Sequence, residues 1–252
     1  DEDFEFEPDQ IVTLGQPTNT QFDALILSIK VLPTIDAVQL IQPYMSENTV
    51  LLMIQNGLFI EDSIKLAFSQ PIFRGLAFVC SQRVSKTHIR HLDFGMLTIG
   101  QVSGDVSHEN ISNLKDILSQ VDFHVKDAVN IRRAVWDKLI WNAPFNPLSV
   151  INGPRSTKDL LNDPATRDNI RGIMQEVIEL ARVDGHDFDD AIIDFKIEQT
   201  EMMAPYFTSM SLDYSAGLPL EIDAILGKTC QFADQNGVEV PLLKQLYQEF
   251  HS

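Results

Sequence analysis

The sequence is poor in cysteine, in basic residues and in long apolar runs. Cys80 and Cys230 are the only cysteines and form no C-x-x-C or metal-type cluster, which favours a reducing, cytoplasmic setting and predicts no metal site. Lysine and arginine number 19 against 36 aspartates and glutamates, which argues against nucleic-acid or anionic-membrane partners, since both need basic patches. No run approaches roughly eighteen apolar residues, so we predict no transmembrane helix.

The remaining composition is that of an ordinary globular protein. Of the 252 residues, 44% are hydrophobic and 22% are charged, enough to bury a substantial core in one large domain or two of ordinary size. The acidic opening DEDFEFEPDQ has neither the basic start nor the apolar run of a signal peptide. The net charge of −17 still allows a small anionic substrate, because local lysines can override the global field.

Apolar runs of strand length alternate with helical patterns in the first half. The run Asp23–Lys30 predicts a strand buried on both faces, as in a parallel sheet. Alternation of this kind predicts an α/β fold with right-handed crossovers. The further predicted strands are Ile11–Leu14, Thr49–Gln55, Ile72–Val79, a hairpin in Thr87–Gly100, and Phe123–Val125. The predicted helices are Pro33–Tyr44, Phe59–Phe68 and Asn110–Gln120.

After about Val129 the pattern becomes helical. Thr166–Asp184 is strongly amphipathic, with Gly185 as its C-cap. The other predicted helices are Ile131–Trp141, Asp190–Met203, Glu221–Asn236 and Pro241–Phe250. The sequence therefore predicts an α/β sheet domain over residues 1–128 and an all-helical domain over residues 129–252.

One segment, WDKLIWNAPFNPLSVIN from Trp136 to Asn152, combines polar and apolar groups at helical spacing. Lys138, Asn142 and Asn146 stand four residues apart, which places them along one helix face. Pro144 and Pro147 should kink or end the helix because each lacks a backbone donor. This pattern suits a wall that grips a small polar ligand; the alternative is a solvated stripe with chance spacing.

Four polar residues elsewhere are candidates for the same site. Lys30 and Asn56 follow predicted strands, where ligands of open α/β sheets bind, although a solvated lysine and an ordinary Asn-Gly turn are the alternatives. Ser209 precedes Glu221 by twelve residues, across a loop that contains Gly217 and Pro219. Glu221 and Asp223 are expected in the first turn of the next helix, where acids also serve simply to offset the macrodipole.

Six motifs, in this order, resemble the ketopantoate reductase (2-dehydropantoate 2-reductase) family from about Asp23 onwards: LSIK, MIQNG, IRHLDFGMLTIG, WDKLIWNAPFNPL, QEVIELARVDG and SMSLDYSAGLPLEIDAILG. The resemblance implies a Rossmann-type dinucleotide-binding domain, an all-helical second domain and an active site between them. It implies NADP as cofactor and the reduction of ketopantoate to pantoate in pantothenate and coenzyme A biosynthesis. A 2-keto acid would be the small-molecule partner, and a homodimer is a further expectation.

The resemblance also implies a role for each candidate residue. Lys138 corresponds to the catalytic lysine, the general acid at the ketone oxygen, and Glu221 to the carboxylate that supports it. The implied substrate-binding residues are Asn142, Asn146 and Ser209. The implied cofactor-binding residues are Lys30 and Asn56.

The sequence departs from the family pattern in two places. It has no G-x-G-x-x-G loop, the family's site for the cofactor pyrophosphate, so we expect the opening βαβ unit to be missing and the sheet's central strands to be exposed. Pro219-Leu220 stands where the family usually has a basic residue and a threonine. The alternatives are a reductase of another 2-keto acid, a truncated homologue acting as an interaction module, and a helical half that serves mainly for dimerisation.

Overall fold

The computed structural model describes residues 5, 7–12, 20–104, 114, 116–118 and 124–251, except for the side chains of residues 82, 92 and 93. It contains a five-stranded mixed sheet. The strands are β1 (Ala24–Leu27), β2 (Val50–Ile54), β3 (Ile72–Arg83), β4 (Ile89–Ser103) and β5 (His124–Asp127), and they lie in that order. β1, β2 and β3 are parallel, β4 is antiparallel to β3, and β5 is parallel to β4. This confirms the parallel crossovers. The predicted hairpin within Thr87–Gly100 was wrong, because nearly all of that segment belongs to one strand, β4, which pairs along its length with β3.

Two short helices pack on one face of the sheet. They are α1 (Ala37–Ile41), followed by a 3₁₀ turn over Gln42–Tyr44, and α2 (Asp62–Ala67). Both are shorter than predicted; α1 begins where Asp36 caps it by accepting from the backbone N–H of Gln39. Their apolar residues cluster with alternate residues of the strands, which include Leu27, Leu51, Met53 and Ile72.

The opposite face carries Leu52, Phe73, Leu97 and Ile99, which cluster with Leu114 and Leu118. Residues 114 and 116–118 are helical, whereas 110–113, 115, 119 and 120 of the predicted helix lie outside the described residues. Ile11 and Val12 form no strand, and their predicted continuation, Thr13 and Leu14, lies outside the described residues, as does Phe123.

The prediction that the first strand is buried on both faces was wrong. β1 stands at one end of the sheet order and pairs with β2 alone among the described strands. Ile26 is 46% exposed because the apolar cluster on its face forms around β2, β3 and β4 and does not reach it. Leu27, which points to the α1 side, is buried.

The rest of the described chain is helical. The helices are α3 (Ile131–Leu148), α4 (Thr157–Asn162), α5 (Pro164–Val183), α6 (Ala191–Met202), α7 (Ser209–Ser215), α8 (Lys228–Asn236), which follows a π-helical turn at Asp223–Gly227, and α9 (Pro241–Gln248). The predicted stripe of α5 is buried, and Gly185, at φ 84°, follows its last residues. No described helix is long and apolar enough to cross a membrane.

α3 does not end at its first proline. Asn130 is its N-cap, and the Asn130 side chain accepts from the backbone N–H of Arg133 at 3.0 Å. The helix then continues from Ile131 through Pro144 and Pro147 to Leu148. The helix tolerates the missing donors because its last turns are enclosed: every residue from Asn142 to Leu148 is buried. The predicted helix end at Trp141 was therefore wrong, and of the two prolines only Pro147 lies next to the end of the helix.

α3 also joins the helical half to the sheet. Leu58 and Leu76 from the sheet half belong to the same apolar cluster as the buried residues of α3 and α5. Gly100 of β4 leaves room for Ile131, whose Cβ would lie only 2.6 Å from any Cβ at position 100. The close approach fixes where α3 crosses the sheet and so which of its residues reach the carboxyl ends of the strands.

Candidate active site

The first wall of the candidate site is the polar face of α3. Lys138 is half-buried; its Nζ donates to the Ala77 carbonyl of β3 at 2.8 Å and lies 5.1 Å from the Phe78 ring centroid. Asn142 and Asn146 follow on the same face and are 8% and 3% exposed. These exposures exclude the solvated-stripe interpretation.

Burial sets the protonation of Lys138. Burial, followed by the positive charge of Arg74, lowers the pKa of the Lys138 ammonium to about 8, and the negative charge of Glu221 opposes both effects. Near neutral pH this lysine therefore has appreciable populations of both the ammonium and the amine forms. A group with that property can give up a proton and regain it within one cycle.

The two asparagine side chains are available to a ligand. Neither carboxamide forms a hydrogen bond with another residue in the part of the chain that the structure describes. Among the described residues, the one side-chain hydrogen bond to either asparagine goes to the backbone carbonyl of Asn146, which accepts from Ser149 Oγ at 2.7 Å. Buried carboxamides are normally paired, so two of them on one face indicate a place for a molecule that offers donors and acceptors.

The second wall is the turn after β2, which carries Asn56. Gln55 Nε2 donates to the Ile29 carbonyl at 2.6 Å, which ties this turn to the one after β1. Gly57 has φ 108°, and a Cβ there would stand 2.7 Å from the Ala224 carbonyl oxygen, so only glycine fits. The Leu58 N–H donates to that same carbonyl at 3.1 Å, so the helical half holds the turn in place.

Glu221 lies between the walls. Its Oε1 accepts from the Val31 N–H at 2.9 Å, and its carboxylate is also bonded by the Asn56 side chain. Burial raises the pKa of Glu221, whereas these two hydrogen bonds lower it. Asp223 lies in the first turn of the following helix, as expected. Glu221 stands immediately before that helix, and its carbonyl accepts from the Ile225 N–H at 3.1 Å, while its carboxylate is bonded to the sheet half.

Lys30 is held at the rim of the same wall. Its Nζ lies 2.6 Å from Asp213 Oδ1 and donates to the Pro219 carbonyl at 3.3 Å. Asp213 lies on α7, and sequence reasoning missed it.

Ser209 is the candidate that the structure leaves apart. It is exposed at the first position of α7, and its side chain makes no hydrogen bond to a described residue. Its neighbour Thr208 caps the helix and shares a 2.7 Å hydrogen bond with Ser149. α7 is therefore anchored beside Asn146, with Ser209 facing outward from that contact.

Sequence reasoning also missed Arg74. This β3 residue is 1% exposed and pairs with Glu61 Oε2 at 2.5 Å. It donates to the carbonyls of Gln55 and Gly57, both at 3.2 Å. Arg74 thus supports the turn that carries Asn56 and lowers the pKa of Lys138. No pattern in the sequence distinguishes it from an exposed strand arginine.

Direct contacts bring Lys30, Asn56 and Glu221 together at the carboxyl ends of β1 and β2, on one side of the candidate crevice. Lys138, on which the charge of Glu221 acts, and the two asparagines that follow it on α3 form the other side. An ammonium group on α3 faces a carboxylate whose charge acts on it, and carboxamides stand on both sides. Such a crevice can bind a small polar molecule and supply a proton to an oxygen that gains negative charge. No group of three or more metal-ligating side chains occurs among the described residues.

Comparison with known families shows what the chain is similar to. The family model "Ketopantoate reductase PanE/ApbA" matches residues 2–104, and its counterpart "Ketopantoate reductase PanE/ApbA C terminal" matches residues 130–252. The 2-dehydropantoate 2-reductase of Nostoc sp. is 32% identical over 233 residues, which cover 90% of this chain and 72% of that protein. The Vibrio cholerae enzyme of the same name is 24% identical, with 90% and 76% covered.

Solved structures give the same result. The 2-dehydropantoate 2-reductase from Methylococcus capsulatus superposes with a TM-score of 0.84 at 33% identity, covering 93% of this chain and 75% of that one. D-mandelate dehydrogenase with NADH and anilino(oxo)acetate reaches 0.82 at 21% identity, covering 93% and 77%, which shows a shared fold alone. With its sheet, its helical half and both family models in agreement, the chain belongs to the ketopantoate reductase family.

Proposed function

We propose that the chain carries the active site for the NADPH-dependent reduction of 2-dehydropantoate to pantoate. The observation that carries this proposal is the polar face of α3: a lysine with its pKa lowered to about 8, followed by two buried carboxamides without partners among the described residues. A 2-keto acid needs both a proton donor at the ketone and hydrogen-bonding groups along its length. The polar face of α3 provides the proton donor and the hydrogen-bonding groups side by side.

Lys138 acts as the general acid. As the ketone carbon is reduced, its oxygen gains negative charge, and the Lys138 ammonium stabilises that charge and transfers a proton to form the hydroxyl. Lys138 is left as the amine and regains its proton from solvent. Its bond to the Ala77 carbonyl positions Nζ without neutralising it, because a carbonyl accepts the hydrogen bond and carries no net charge.

Glu221 supports the acid and helps to hold substrate. Its negative charge raises the pKa of Lys138 and so favours the ammonium form that the reaction requires. Asn142 and Asn146 bind the hydroxyl and carboxylate of the substrate through their carboxamides. Ser209, at the first position of α7, adds a hydroxyl at the outer rim once substrate is present.

Lys30 and Asn56 hold the nicotinamide ribose side of the cofactor. The chain's residues fit this task because both follow the carboxyl ends of parallel strands, where open α/β sheets bind such groups. When bound, NADPH supplies the hydride. The choice of NADPH over NADH follows the family, and a cytoplasmic location and a homodimer are proposed on the same basis.

A second candidate is the reduction of another 2-keto acid. Leu220, next to Glu221, packs against the helical core, where the family pattern has a polar residue. Its apolar side chain removes a hydrogen-bonding group from the rim of the site and favours a substrate that is less polar there. Turnover of ketopantoate beside a panel of 2-keto acids with apolar side chains distinguishes the two.

The test begins with a fluorescence titration of the chain with NADPH. Trp136 is buried and Trp141 half-buried on α3, so energy transfer to the nicotinamide reports binding. We expect saturation in the micromolar range, about −8 kcal/mol, followed by turnover of ketopantoate. Absence of binding up to millimolar NADPH would contradict the proposal for this chain and favour an interaction module; sedimentation then shows whether it dimerises.

A further inference from the structure

The turn that carries Asn56 is followed by a residue in a rare backbone conformation. Phe59 has φ 54°, in the left-handed region, which a bulky side chain seldom adopts. It stands two residues after Gly57, which is itself at positive φ. Strain of this kind persists only where the surroundings fix the backbone in more than one way, and it is concentrated at functional sites. The contacts that hold Phe59 and the turn before it therefore bear on function.

The Phe59 ring is enclosed by side chains of the helical half. The Arg132 guanidinium of α3 lies 4.1 Å from the ring centroid. Trp136, one turn later on α3, meets the ring edge-on at a centroid distance of 6.4 Å, and Phe232 of α8 lies 5.0 Å away. Two of the side chains that fix the ring thus belong to the helix that carries Lys138.

The turn itself is held from the sheet half. Arg74 of β3 donates to the carbonyls of Gln55 and Gly57, both at 3.2 Å, on either side of Asn56. The Arg74 side chain is 1% exposed, so these hydrogen bonds are sheltered from water and are stronger than they would be at the surface. Arg74 thus fixes the backbone both before and after Asn56.

One carboxylate joins the two arginines. Glu61, the residue before α2, is 3% exposed. Its Oε2 lies 2.5 Å from Arg74 Nη1, and its Oε1 lies 3.2 Å from Arg132 Nη1. An alternation of charge therefore runs from β3 through Glu61 to the start of α3. We call Arg74, Glu61, Arg132 and Phe59 the turn clamp.

We propose that the turn clamp positions the two walls of the candidate active site relative to one another, with Arg74 and Arg132 as positioning residues. It fixes Asn56, which bonds to Glu221, relative to the helix that carries Lys138. The effect of the clamp on turnover rests on the proposed function. Its effect on the turn can be measured without any ligand.

The first test compares Arg132→Gln with Arg133→Gln. The two residues are neighbours in the first turn of α3, and each guanidinium lies over a ring, that of Phe59 for Arg132 and that of Phe188 for Arg133. The substitutions therefore remove the same charge and a similar ring contact, but only Arg132 belongs to the clamp. Arg132 is 28% exposed, so we expect both variants to fold.

The readout is amide hydrogen exchange, followed by NMR in the absence of ligand. The Leu58 N–H bonds to the Ala224 carbonyl at 3.1 Å, so its exchange rate reports how firmly the turn is held. The Leu160 N–H of α4 bonds to the Ser156 carbonyl at 3.1 Å and serves as the internal reference. A local loosening of the turn changes the ratio of the two rates, whereas a general loss of stability accelerates both.

We expect Arg132→Gln to speed exchange at Leu58 relative to Leu160 by about threefold, and Arg133→Gln to leave the ratio unchanged. Arg74→Lys keeps the positive charge but lacks the planar fork that reaches two carbonyls at once. It should raise the ratio by about tenfold.

Kinetics separate the positioning role of Arg74 from its charge. Arg74→Lys should raise the KM for NADPH about tenfold and leave kcat nearly unchanged, because the Asn56 turn is loosened while Lys138 keeps its charged neighbour. Arg74→Met also removes that charge, which lowers the pKa of Lys138, so the basic limb of kcat/KM should move to higher pH in this variant alone. An arginine that was structural only would lower stability in both variants without this difference.

Two outcomes would overturn the proposal. One is an equal change in the exchange ratio for Arg132→Gln and Arg133→Gln, which decides the question even if the Arg74 variants do not fold. The other is an unchanged ratio in a folded Arg74→Lys chain. Both readings are made without ligand, so a chain that bound no NADPH would contradict the proposed function and leave this test decisive.

Discussion

The two walls of the crevice each present a lysine, and they hold these lysines in different ways. Lys30, on the sheet wall, is 2.6 Å from the Asp213 carboxylate, so its charge already has a partner. Lys138, on α3, bonds to a neutral carbonyl and has a pKa lowered to about 8 by burial. The first arrangement fixes a charge in place, whereas the second leaves a proton ready to move.

The asparagines of the two walls differ in the same way as the lysines. Asn56 of the sheet wall is bonded to Glu221, while Asn142 and Asn146 of α3 have no side-chain partner among the described residues. The sheet wall is therefore held by protein contacts before any ligand binds. The α3 wall keeps its polar groups for the ligand, and we expect substitutions there to have the larger effect on turnover.

Lys138→Gln tests this comparison most severely. We expect kcat for ketopantoate reduction to fall about a thousandfold, because glutamine can offer a hydrogen bond but cannot transfer a proton. The KM for NADPH should change little. Lys158→Gln, at an exposed position of α4, is the matched control, and steady-state kinetics of both variants provide the measurement. A loss below tenfold would assign proton transfer to another group.

Asn142→Ala and Asn146→Ala address the substrate side of the same wall. Each removes a carboxamide that the substrate carboxylate or hydroxyl would bind, so kcat/KM for ketopantoate should fall by about 10- to 100-fold. Asn236→Ala, at the exposed end of α8, is the control and should leave kcat/KM for ketopantoate unchanged. If the α3 variants kept full kcat/KM, these side chains would be structural only.

The pH profile sharpens the role of Glu221. Reduction requires the ammonium form of Lys138, so kcat/KM should decline above about pH 8, the pKa of that group. Glu221→Gln removes the negative charge that raises this pKa and should move the basic limb to lower pH, with a loss in kcat of about tenfold. The variant amide can still accept from Val31, which preserves that contact. If the basic limb of the profile did not move, the charge of Glu221 would not act on the pKa of Lys138.

Asp213→Asn should produce the smallest effect. It leaves Lys30 without its charged partner, in a pair whose side chains are 30% and 20% exposed, so the expected rise in KM for NADPH is about threefold. The kcat for ketopantoate should be nearly unchanged. Asp194→Asn, which breaks an exposed pair with Arg171, serves as the control. A large fall in kcat would show that the sheet wall takes part in chemistry.

The sequence predicted most of the architecture because its signals were local. Alternating strands and helices, and the four-residue spacing of Lys138, Asn142 and Asn146, are properties of short windows. Two of its errors involve contacts between distant segments. Enclosure by the helical core allows α3 to run through Pro144, and the position of β1 at the end of the sheet exposes Ile26.

The missed residues have the same explanation. Arg74 and Asp213 become informative only through partners far away in the chain: the Gln55 carbonyl and Lys30, respectively. No periodicity marks such a pairing. The roles assigned to the seven predicted site residues stay predictions until the variants above are measured.

The close contact at Gly57 has a mechanical consequence. The Leu58 N–H is bonded to the Ala224 carbonyl, and Gly57 presses against the same residue with no space for a side chain. The two halves thus meet without a gap beside Asn56. Any side chain at position 57 would act as a wedge between the sheet and the helical half, so this glycine keeps the turn that carries Asn56 close to Glu221.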